Sequence, residues 1–278
     1  MKIFLTGGTG FVGSHFLRQA LAQGYEVIAL RRLGSQSRIG LSQEPVWVDG
    51  VLNGDHRASL AGVDVLVHLA SHTPNPPYDT LDRCLYWNVF ASLQLARQAV
   101  DQGVKHFIVA GSHFEYGRSA DHVGDLDVGS PLEPALSYPT SKAAASIAFM
   151  GLARELKLHL KLLRIFQVYG EGEQATRLWP SLRTAALAGQ DFPMSGGEQV
   201  RDFIPVEEVA RQFVQAFDFS GSLPGQPFVG HVATGRPQTL LAFAQHWWRH
   251  WGATGRLIVG AVPYRHNEVM RIASRQKL

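Results

Sequence analysis

Short apolar runs alternate along the chain with stretches of helical periodicity. The runs occupy residues 3–5, 27–30, 63–69, 107–110 and 160–166, and they have the length and apolar character of buried strands. Between two of them, Ala91, Leu95 and Ala99 recur at the spacing of one helix face. Near-continuous apolar strands are typical of parallel sheets, because helices cover both faces of such sheets. The pattern predicts an α/β fold with a doubly wound parallel sheet.

A glycine-rich turn joins the first strand to the first helix. Residues 6–13 read Thr-Gly-Gly-Thr-Gly-Phe-Val-Gly, and a helix with Leu17, Ala20 and Leu21 on one face follows. Glycine permits a tight turn and lets the backbone approach a pyrophosphate, while the helix N-terminus faces the negative charge. We therefore expect a Rossmann dinucleotide-binding unit whose cofactor contacts include Gly7, Gly10, Phe11, Val12 and Gly13.

Two arginines at the end of the second strand bear on the choice of cofactor. An NAD enzyme places Asp or Glu there to bind the ribose hydroxyls, whereas this chain has Arg31 and Arg32. Guanidinium groups suit a 2'-phosphate, through charge-assisted hydrogen bonds. The sequence therefore favours NADP(H), with NAD(H) as the alternative cofactor and a solvated basic loop as the interpretation without a binding role.

The character of the sequence changes after Phe166. Gly, Pro and Trp interrupt shorter elements at 170–202 and again beyond 235. We expect residues 1–166 and about 203–235 to form the dinucleotide-binding Rossmann domain. Residues from about 167 to 202 and from 236 to 278 are expected to form a smaller C-terminal lobe that binds the substrate.

Composition limits the classes of protein and partner. The chain has 278 residues, 45% of them hydrophobic and 18% charged, as expected of a soluble globular protein. The formal net charge of +3 comes without a basic run, which favours anionic small ligands over nucleic acid. Cys84 is the only cysteine, which excludes an internal disulfide and leads us to expect a cytoplasmic protein. We expect no membrane partner, because no apolar run approaches about 18 residues, and no metal, because His246 and His250 lack a third ligand.

Candidate catalytic groups lie in the middle of the chain. Tyr138 and Lys142 stand four residues apart at the start of a helix whose body is predicted over 143–156, so both can face one site. Ser112 follows the strand predicted at 107–110, at the edge of the sheet where open α/β folds bind ligands. The alternative interpretation of the Tyr138 and Lys142 spacing is an exposed helix pair.

Several motifs, in the order found here, resemble those of the extended short-chain dehydrogenase/reductase family. The resemblance implies that Ser112, Tyr138 and Lys142 are catalytic, that Asn88 supports them, and that Asp49 is a weaker candidate for an adenine contact. It also implies cofactor contacts at Leu69 and Ala70 and, because family members are often dimers, a homodimer. The motifs are residues 6–13, His68-Leu69-Ala70, Trp87-Asn88-Val89, Ser112 with Tyr116-Gly117, Tyr138 with Lys142, and Arg201-Asp202-Phe203-Ile204-Pro205-Val206.

The three groups suit hydride chemistry at a carbonyl. Tyr138 would donate a proton to the carbonyl oxygen, although an ordinary phenol pKa of about 10 makes it a weak acid for this task near neutrality. Lys142 is expected to lower that pKa and to hold the nicotinamide ribose. Ser112 is expected to hydrogen-bond the developing oxyanion.

Departures from the family pattern narrow the reaction. The sugar 4,6-dehydratases of this family carry an Asp-Glu pair after the Ser or Thr position, where this chain has His113 and Phe114, so a dehydratase is disfavoured. Glu115 lies one place too late for that role, with a displaced carboxylate as the alternative. Gln167 stands where relatives often have Asn, and a longer amide still suits a diphosphate.

Further residues are expected at the substrate. By resemblance, Arg201 and Arg265 would bind the diphosphate and Arg177 is a weaker candidate, each with a surface arginine as the alternative. His113 adjoins Ser112 and is expected either to contact the substrate or to make a structural hydrogen bond. The expected substrate-binding set is Ser112, His113, Gln167, Arg177, Arg201 and Arg265.

We therefore expect NADPH-dependent reduction of the 4-keto group of a nucleoside-diphosphate-linked deoxysugar. Residues 257–270 also resemble reductases that make 6-deoxy and 3,6-dideoxy sugars from 4-keto nucleotide sugars. The nearest alternative is an NAD(P)-dependent nucleotide-sugar 4-epimerase. An alternative of another class is a regulatory protein that binds NADP(H) without turnover.

Overall fold

The structure is a computed structural model that describes residues 1–264 and 268–275. A π-helical turn at Tyr86–Ala91 joins α3 to α4, and a 3-10 turn spans His113–Tyr116. The α-helices are α1 (Phe11–Ala22), α2 (Arg57–Leu60), α3 (Leu81–Leu85), α4 (Ser92–Asp101), α5 (Ser119–Val123), α6 (Ser137–Leu156), α7 (Leu178–Leu187), α8 (Val206–Gln215) and α9 (Leu240–His250). The strands are β1 (Lys2–Thr6), β2 (Glu26–Arg31), β3 (Val46–Asp49), β4 (Val65–His68), β5 (His106–Ser112), β6 (Asp125–Leu126), β7 (His159–Ile165), β8 (Gln167–Tyr169), β9 (Phe192–Met194), β10 (Val200–Arg201), β11 (Phe203–Pro205), β12 (Phe228–Val232), β13 (Gln238–Thr239), β14 (Leu257–Val259) and β15 (Arg271–Ser274).

A seven-stranded parallel sheet forms the centre of the fold, with strand order β12-β7-β5-β4-β1-β2-β3. In its middle, Leu5 of β1 lies opposite Ala29 of β2 on one side and Val67 of β4 on the other. This arrangement confirms the predicted doubly wound α/β fold. The strand order reverses between β1 and β4, so their carboxyl ends form the crevice in which such sheets bind ligands.

Two cores cover the two faces of the sheet, because successive side chains of a strand point to opposite faces. On one face, Leu5 belongs to the same core as Phe16 of α1 and Phe213 of α8. On the other face, Phe4 shares a core with Phe149 of α6. This burial on both faces explains why the strands are apolar along their whole length. Within the described part of the chain, no helix combines the length and apolar character that crossing a membrane requires.

The other elements form a smaller lobe with a core of its own. Its four-stranded sheet has the order β13-β10-β15-β6, and β14 pairs with β9. Helices α7 and α9 enclose a separate cluster that contains Leu182, Met194 and Trp248. Strand β6 joins this lobe although it lies within residues 1–166, so the lobe takes one strand from the segment predicted to be purely dinucleotide-binding. We keep the domain boundaries near 166, 203 and 235 as a proposal.

Asp202 is 0% exposed and binds the backbone at places where the chain crosses between the sheet and the lobe. Its Oδ1 accepts a hydrogen bond from the backbone N–H of Thr234, and its Oδ2 accepts one from Gly235, both at 2.8 Å. Its backbone carbonyl accepts a third from the N–H of Gln167 at 3.1 Å. Three crossings of the chain therefore meet at one residue, while the crossings into and out of β6 lie elsewhere.

Candidate active site

A cleft of about 740 Å³ opens at the carboxyl ends of the central strands of the sheet. It brings together most of the residues that the sequence predicts for the site. Asp49, Asn88 and Arg201 are outside its lining, and Arg265 lies outside the described residues. The predicted residues that line it are Gly7, Gly10, Phe11, Val12, Gly13, Arg31, Arg32, Leu69, Ala70, Ser112, His113, Tyr138, Lys142, Gln167 and Arg177.

Among the described residues, the Arg, Lys, Asp and Glu side chains that line the cleft are all cationic. None of the described residues that line the cleft is an Asp or a Glu. A cleft with cationic walls concentrates anionic ligands. The cations are Arg31, Arg32, Arg83, Lys142 and Arg177.

The glycine-rich turn is shaped for close contact. Gly7 has φ +79°, a left-handed conformation that L side chains rarely adopt. A Cβ on Gly13 would lie 2.0 Å from the Gly7 carbonyl oxygen, so only glycine lets α1 begin this close to β1. Helix α1 starts at Phe11, and the residues from Gly10 to Gly13 at its N-terminus line the cleft. The free backbone N–H groups of a helix N-terminus suit a pyrophosphate. The residues present fit the predicted dinucleotide.

A buried chain of hydrogen bonds supports the backbone after β4, which lies beside the glycine-rich turn. His68 Nδ1 lies 2.8 Å from Thr6 Oγ1, and its Nε2 lies 3.0 Å from Ser92 Oγ. The backbone N–H of Ala70 donates to the same threonine oxygen at 3.2 Å. Burial lowers the pKa of His68 to about 3, so the imidazole is neutral and serves as a polar spacer. This chain fixes the Leu69 and Ala70 backbone beside the glycine turn.

The basic end of β2 contains one anchored and one unpaired arginine. Arg31 donates from Nε to Asp49 Oδ1 at 2.8 Å, and its guanidinium lies 4.9 Å from the centroid of the Trp47 ring. Asp49 is the ion-pair partner of Arg31, and its contact with the adenine stays a prediction. Arg32 is exposed in the cleft and has no ion-pair partner among residues 1–264 and 268–275.

Ser112 ends β5 and caps the 3-10 turn that follows. Its Oγ accepts a hydrogen bond from the backbone N–H of Phe114 at 3.2 Å, and its own N–H donates to Glu115 Oε1 at 2.7 Å. This reciprocal capping box fixes the serine backbone. The side chain, 7% exposed, is left at the floor of the cleft.

Tyr138 and Lys142 lie on the first turns of α6 and line the cleft together, as predicted. Lys142 Nζ donates to the Ala110 carbonyl at 2.7 Å, and burial lowers the pKa of this lysine. Burial also raises the pKa of Tyr138 to about 12, which is opposite to the shift expected from help by Lys142. The expected direction is therefore wrong for the protein without its ligands, because desolvation of the phenolate outweighs the nearby polar groups.

Ser71 is a site residue that the sequence reasoning missed. Its hydroxyl, like that of Ser112, lies close enough to the Tyr138 phenol to lower the phenol pKa. The buried Ser71 Oγ has no partner of hydrogen-bonding geometry among the described residues, and Ser71 lines the cleft. The ring of Tyr78 packs 5.4 Å from that of Tyr138. The signal available in the sequence was its position directly after the His68-Leu69-Ala70 motif.

Glu115 is not a displaced catalytic carboxylate. It is 0% exposed, and its Oε2 accepts a hydrogen bond from Arg164 Nε at 2.9 Å. Arg164 also donates to the Tyr116 hydroxyl at 2.7 Å, and that hydroxyl lies 2.6 Å from His231 Nε2. The carboxylate therefore belongs to an internal polar network beneath the serine turn and does not face the cleft.

Asn88 supports the site from behind, in the π-helical turn. Its Nδ2 donates to Ser141 Oγ at 2.8 Å, and its Oδ1 accepts from the backbone N–H of His72 at 2.7 Å. Because His72 lines the cleft and Ser141 lies on the same helix as the catalytic pair, Asn88 ties one wall to α6.

Glu173 was not predicted, yet it contacts a residue of the lining. Arg177 Nε donates to Glu173 Oε1 at 3.5 Å, while the buried Oε2 has no partner among the described residues. Burial raises the pKa of Glu173 to about 7, against the opposing effect of Arg177. The charge balance around Arg177 therefore changes near neutral pH.

Arg201 does not reach the lining of the cleft. Its NH2 nitrogen donates to Glu268 Oε1 and to the Val269 carbonyl, both at 2.8 Å, and its NH1 donates to the Val200 carbonyl at 2.9 Å. The side chain thus anchors the segment before β15. The charge of Arg201 still helps to lower the pKa of His113, which places Arg201 near the cleft wall.

Residues 1–264 and 268–275 contain no group of His, Cys, Asp and Glu side chains that is arranged to hold a metal ion.

Comparison with known proteins agrees with this architecture. A dTDP-6-deoxy-L-talose 4-dehydrogenase (NAD(+)) of Aggregatibacter actinomycetemcomitans is 23% identical over 245 residues, covering 86% of this chain and 87% of that protein. A dTDP-4-dehydro-6-deoxy-D-allose reductase of Streptomyces bikiniensis is 27% identical over 248 residues, covering 82% and 76%. The structure of an NAD-dependent NDP-hexosamine 5,6-dehydratase of tunicamycin biosynthesis matches with a TM-score of 0.85 and 26% identity, covering 99% of this chain and 88% of that chain. The family model for the NAD dependent epimerase/dehydratase family matches residues 3–229, which confirms the resemblance drawn from the motifs, and the chain belongs to that family.

Proposed function

We propose that the protein reduces the 4-keto group of a nucleoside-diphosphate-linked deoxysugar with NADPH. The observation that carries this proposal is the composition of the cleft, where Ser112, Tyr138 and Lys142 meet cationic walls and no described lining residue is a carboxylate. Carbonyl reduction needs a proton donor and oxyanion contacts, which these three residues supply. Sugar dehydration by elimination needs further acid–base carboxylates, and the nearest one, Glu115, is held by Arg164.

Each residue of the site has a definable task. Tyr138 gives its phenolic proton to the carbonyl oxygen, and its high pKa keeps that proton in place until negative charge develops on the substrate. Ser112 donates a hydrogen bond to the same oxygen. Lys142 holds the nicotinamide ribose and stabilises the phenolate that remains. The hydride is the chemistry that the bound nicotinamide supplies.

The preference for NADPH rests on the end of β2. Arg32 is exposed within the cleft without an ion-pair partner among the described residues, so it is available to a 2'-phosphate. Arg31 is held by Asp49 and Trp47, which presents the flat guanidinium at a fixed place. The structures of similar proteins include dTDP-glucose 4,6-dehydratases with NAD, so NAD(H) is the competing cofactor.

The substrate proposal rests on the opposite end of the cleft and on the relatives. Arg177 and Gln167 line that end, and a guanidinium beside an amide suits a diphosphate. Two relatives bear names that denote oxidation or reduction at position 4 of a dTDP-linked 6-deoxysugar. Another relative is a UDP-glucose 4-epimerase, 25% identical over 245 residues, and the same three catalytic residues could serve that reaction. The epimerase is therefore the second candidate.

The test is single-turnover oxidation of NADPH with a panel of 4-keto nucleotide sugars. We expect one NADPH to be consumed for each sugar reduced. We also expect Tyr138→Phe to lower the rate by roughly 10²- to 10⁴-fold while both ligands still bind. Lys142→Ala should weaken cofactor binding and turnover together, and Ser112→Ala should mainly slow turnover. Tyr25→Phe, outside the cleft, is the matched control.

Three outcomes would contradict the proposal. Interconversion of 4-epimers without net consumption of NADPH would establish the epimerase. Tight binding of NADPH without turnover of any keto sugar would establish the regulatory protein. Full activity of Tyr138→Phe would remove the proton donor from the mechanism.

We further propose that the chain works as a homodimer in the cytoplasm. Phe90 and Ile147 are 65% and 58% exposed on the outer faces of the π-helical turn and α6. Arg97 NH2 lies 3.6 Å from Glu155 Oε1, which joins α4 to α6 about two turns further along these helices. Light scattering should show a dimer that Phe90→Asp dissociates and that Leu187→Asp, at an exposed position of the lobe, does not.

A further inference from the structure

His113 is held in one tautomer by the backbone of the next strand. Its side chain is buried, and Nδ1 lies 3.0 Å from the carbonyl oxygen of Ile165. A carbonyl oxygen only accepts hydrogen bonds, so Nδ1 must carry the proton that is shared. In a neutral imidazole the other nitrogen, Nε2, is then an acceptor.

The imidazole is neutral over the whole working range of pH. Burial lowers the pKa of His113 to about 3, and the charges of Arg201, Arg177 and His231 act in the same direction. The hydrogen bond to the Ile165 carbonyl acts on this pKa in the opposite direction but does not outweigh burial. Nε2 therefore stays unprotonated, and His113 cannot serve as a general acid near pH 7.

Among residues 1–264 and 268–275, this acceptor has no partner. Nε2 is buried and has no hydrogen-bond partner among the described residues, although the ring lines the cleft. The ring is fixed between Phe114, at a centroid distance of 4.1 Å, and Phe166, stacked at 5.5 Å. An unpaired buried acceptor is unfavourable, so a ligand that supplies a donor there gains affinity. Because the aromatic neighbours already fix the His113 ring, binding of the ligand loses no conformational entropy of this side chain.

We infer that Nε2 of His113 accepts a hydrogen bond from the substrate, and that the substrate carries an O–H or N–H donor on the sugar next to the reacting carbon. The position follows from the chain, because His113 directly follows Ser112, whose hydroxyl meets the reacting carbonyl in the proposed function. This inference rests on that function and makes it more specific. An ether oxygen, a second ketone or a methyl group at this position leaves Nε2 unpaired.

The site should therefore discriminate by a single hydrogen bond. A pocket built to bind a hydroxyl rejects analogues that lack it, because the acceptor of the pocket is then left unpaired. We expect roughly a 10- to 100-fold loss of affinity when the contacted hydroxyl is removed. The loss should be the same at pH 6 and pH 8, because His113 does not titrate between them.

The experiment compares equilibrium binding of a 6-deoxy nucleotide sugar with that of its 3-deoxy derivative by calorimetry, with NADP⁺ present, because in a 6-deoxysugar the hydroxyl next to C4 is the one on C3. The wild type should lose affinity for the 3-deoxy derivative, and His113→Phe should bind both sugars equally. His113→Gln, which restores an acceptor near Nε2, should recover part of the discrimination. His231→Gln is the matched control, since His231 is buried and lies outside the lining of the cleft.

Equal binding of both sugars by the wild type would overturn the inference, because the 3-hydroxyl would then make no hydrogen bond to Nε2. Long-range ¹H–¹⁵N correlation spectra of the free protein give an independent check, since a proton on Nε2 would also overturn it. Neither measurement depends on turnover. If the protein distinguishes the two sugars through His113 but never oxidises NADPH, the proposed function is wrong and the inference about His113 still stands.

Discussion

The carboxylate of Glu115 and the guanidinium of Arg164 meet at 2.9 Å in the interior, where their side chains are 0% and 3% exposed. The other carboxylate oxygen holds the backbone N–H of Ser112. An ion pair between the 3-10 turn after β5 and the neighbouring strand β7 therefore sets the position of the serine that we assign to the oxyanion. Glu115 is the first carboxylate after this serine in the sequence, and it holds the serine backbone in place.

Breaking this ion pair should destabilise the fold strongly. Arg164→Met leaves a buried carboxylate without its partner, and such changes typically cost about 3–5 kcal/mol of unfolding free energy. Arg256→Met is the matched control, because Arg256 pairs with Asp191 at 2.6 Å but is 78% exposed. That exposed pair should contribute about 0–1 kcal/mol. Chemical denaturation of both variants measures the difference, and equal losses would contradict the assignment.

Cofactor choice should depend on Arg32 more than on any other arginine of the cleft. Fluorescence titration should show tighter binding of NADPH than of NADH. Arg32→Ala should weaken NADPH by about 1.5–3 kcal/mol, the usual loss for a charged hydrogen bond, and leave NADH nearly unchanged. Arg31→Asp combined with Arg32→Asn should narrow or reverse the preference. Arg249→Ala, at an exposed position of α9, is the control. Equal affinities for NADPH and NADH in the wild type would refute the assignment.

The stability of the protein should fall as Glu173 ionises. Its folded pKa, raised to about 7 from 4.5, means that its contribution is fully present below pH 4.5 and is lost as the pH rises through about 7. From this shift we expect a loss of roughly 3 kcal/mol at most relative to Glu173→Gln, measured by thermal denaturation across that range. Glu155→Gln, at an exposed ion pair, is the control. A constant difference between wild type and Glu173→Gln at all pH values would contradict the buried carboxyl.

The same ionisation should be visible in ligand binding. Below pH 7 the neutral Glu173 leaves the charge of Arg177 free to act on an anion, whereas above pH 7 the carboxylate competes with that anion. Nucleotide-sugar affinity should therefore weaken as the pH rises through about 7 in the wild type and not in Glu173→Gln. A nucleotide sugar is the right probe, because its diphosphate does not itself titrate in this range.

Removing the Ser71 hydroxyl should raise the pKa of Tyr138. The hydroxyls of Ser71 and Ser112 act to lower that pKa, so Ser71→Ala should shift the pH–rate profile for oxidation of the sugar alcohol toward higher pH. The matched control is Ser119→Ala, because Ser119 is buried, its hydroxyl has no hydrogen-bond partner among the described residues, and it does not line the cleft. A shift of equal size in both variants would show a general loss of packing.

The sheet could be predicted from the sequence because its central strands are buried on both faces. β3 escaped prediction, since it lies at the edge of the sheet and begins with Val46, which is 61% exposed. The strands of the lobe are two to four residues long, for example β10 at Val200–Arg201. Periodicity cannot be recognised in segments of that length.

The residues of the site also differ in how far the sequence could predict them. Ser112, Tyr138 and Lys142 could be found because their motifs are local and follow recognisable elements. The anchoring of Arg201 by Glu268 and Val269 joins residues more than sixty positions apart, so no spacing reveals it. The direction of the Tyr138 pKa shift depends on desolvation, which only the packed structure shows.

Asp202 has a consequence for how the two parts of the molecule can move. Its carboxylate and its carbonyl together bind the backbone at 167, 234 and 235, so three of the connections between sheet and lobe are fixed at one point. The chain is also attached to the lobe through β6, which pairs with β15. Two separate points of attachment define an axis. Opening and closing of the cleft would therefore be a rotation about the line from Asp202 to β6, and the parts of the lobe farthest from that line would move most.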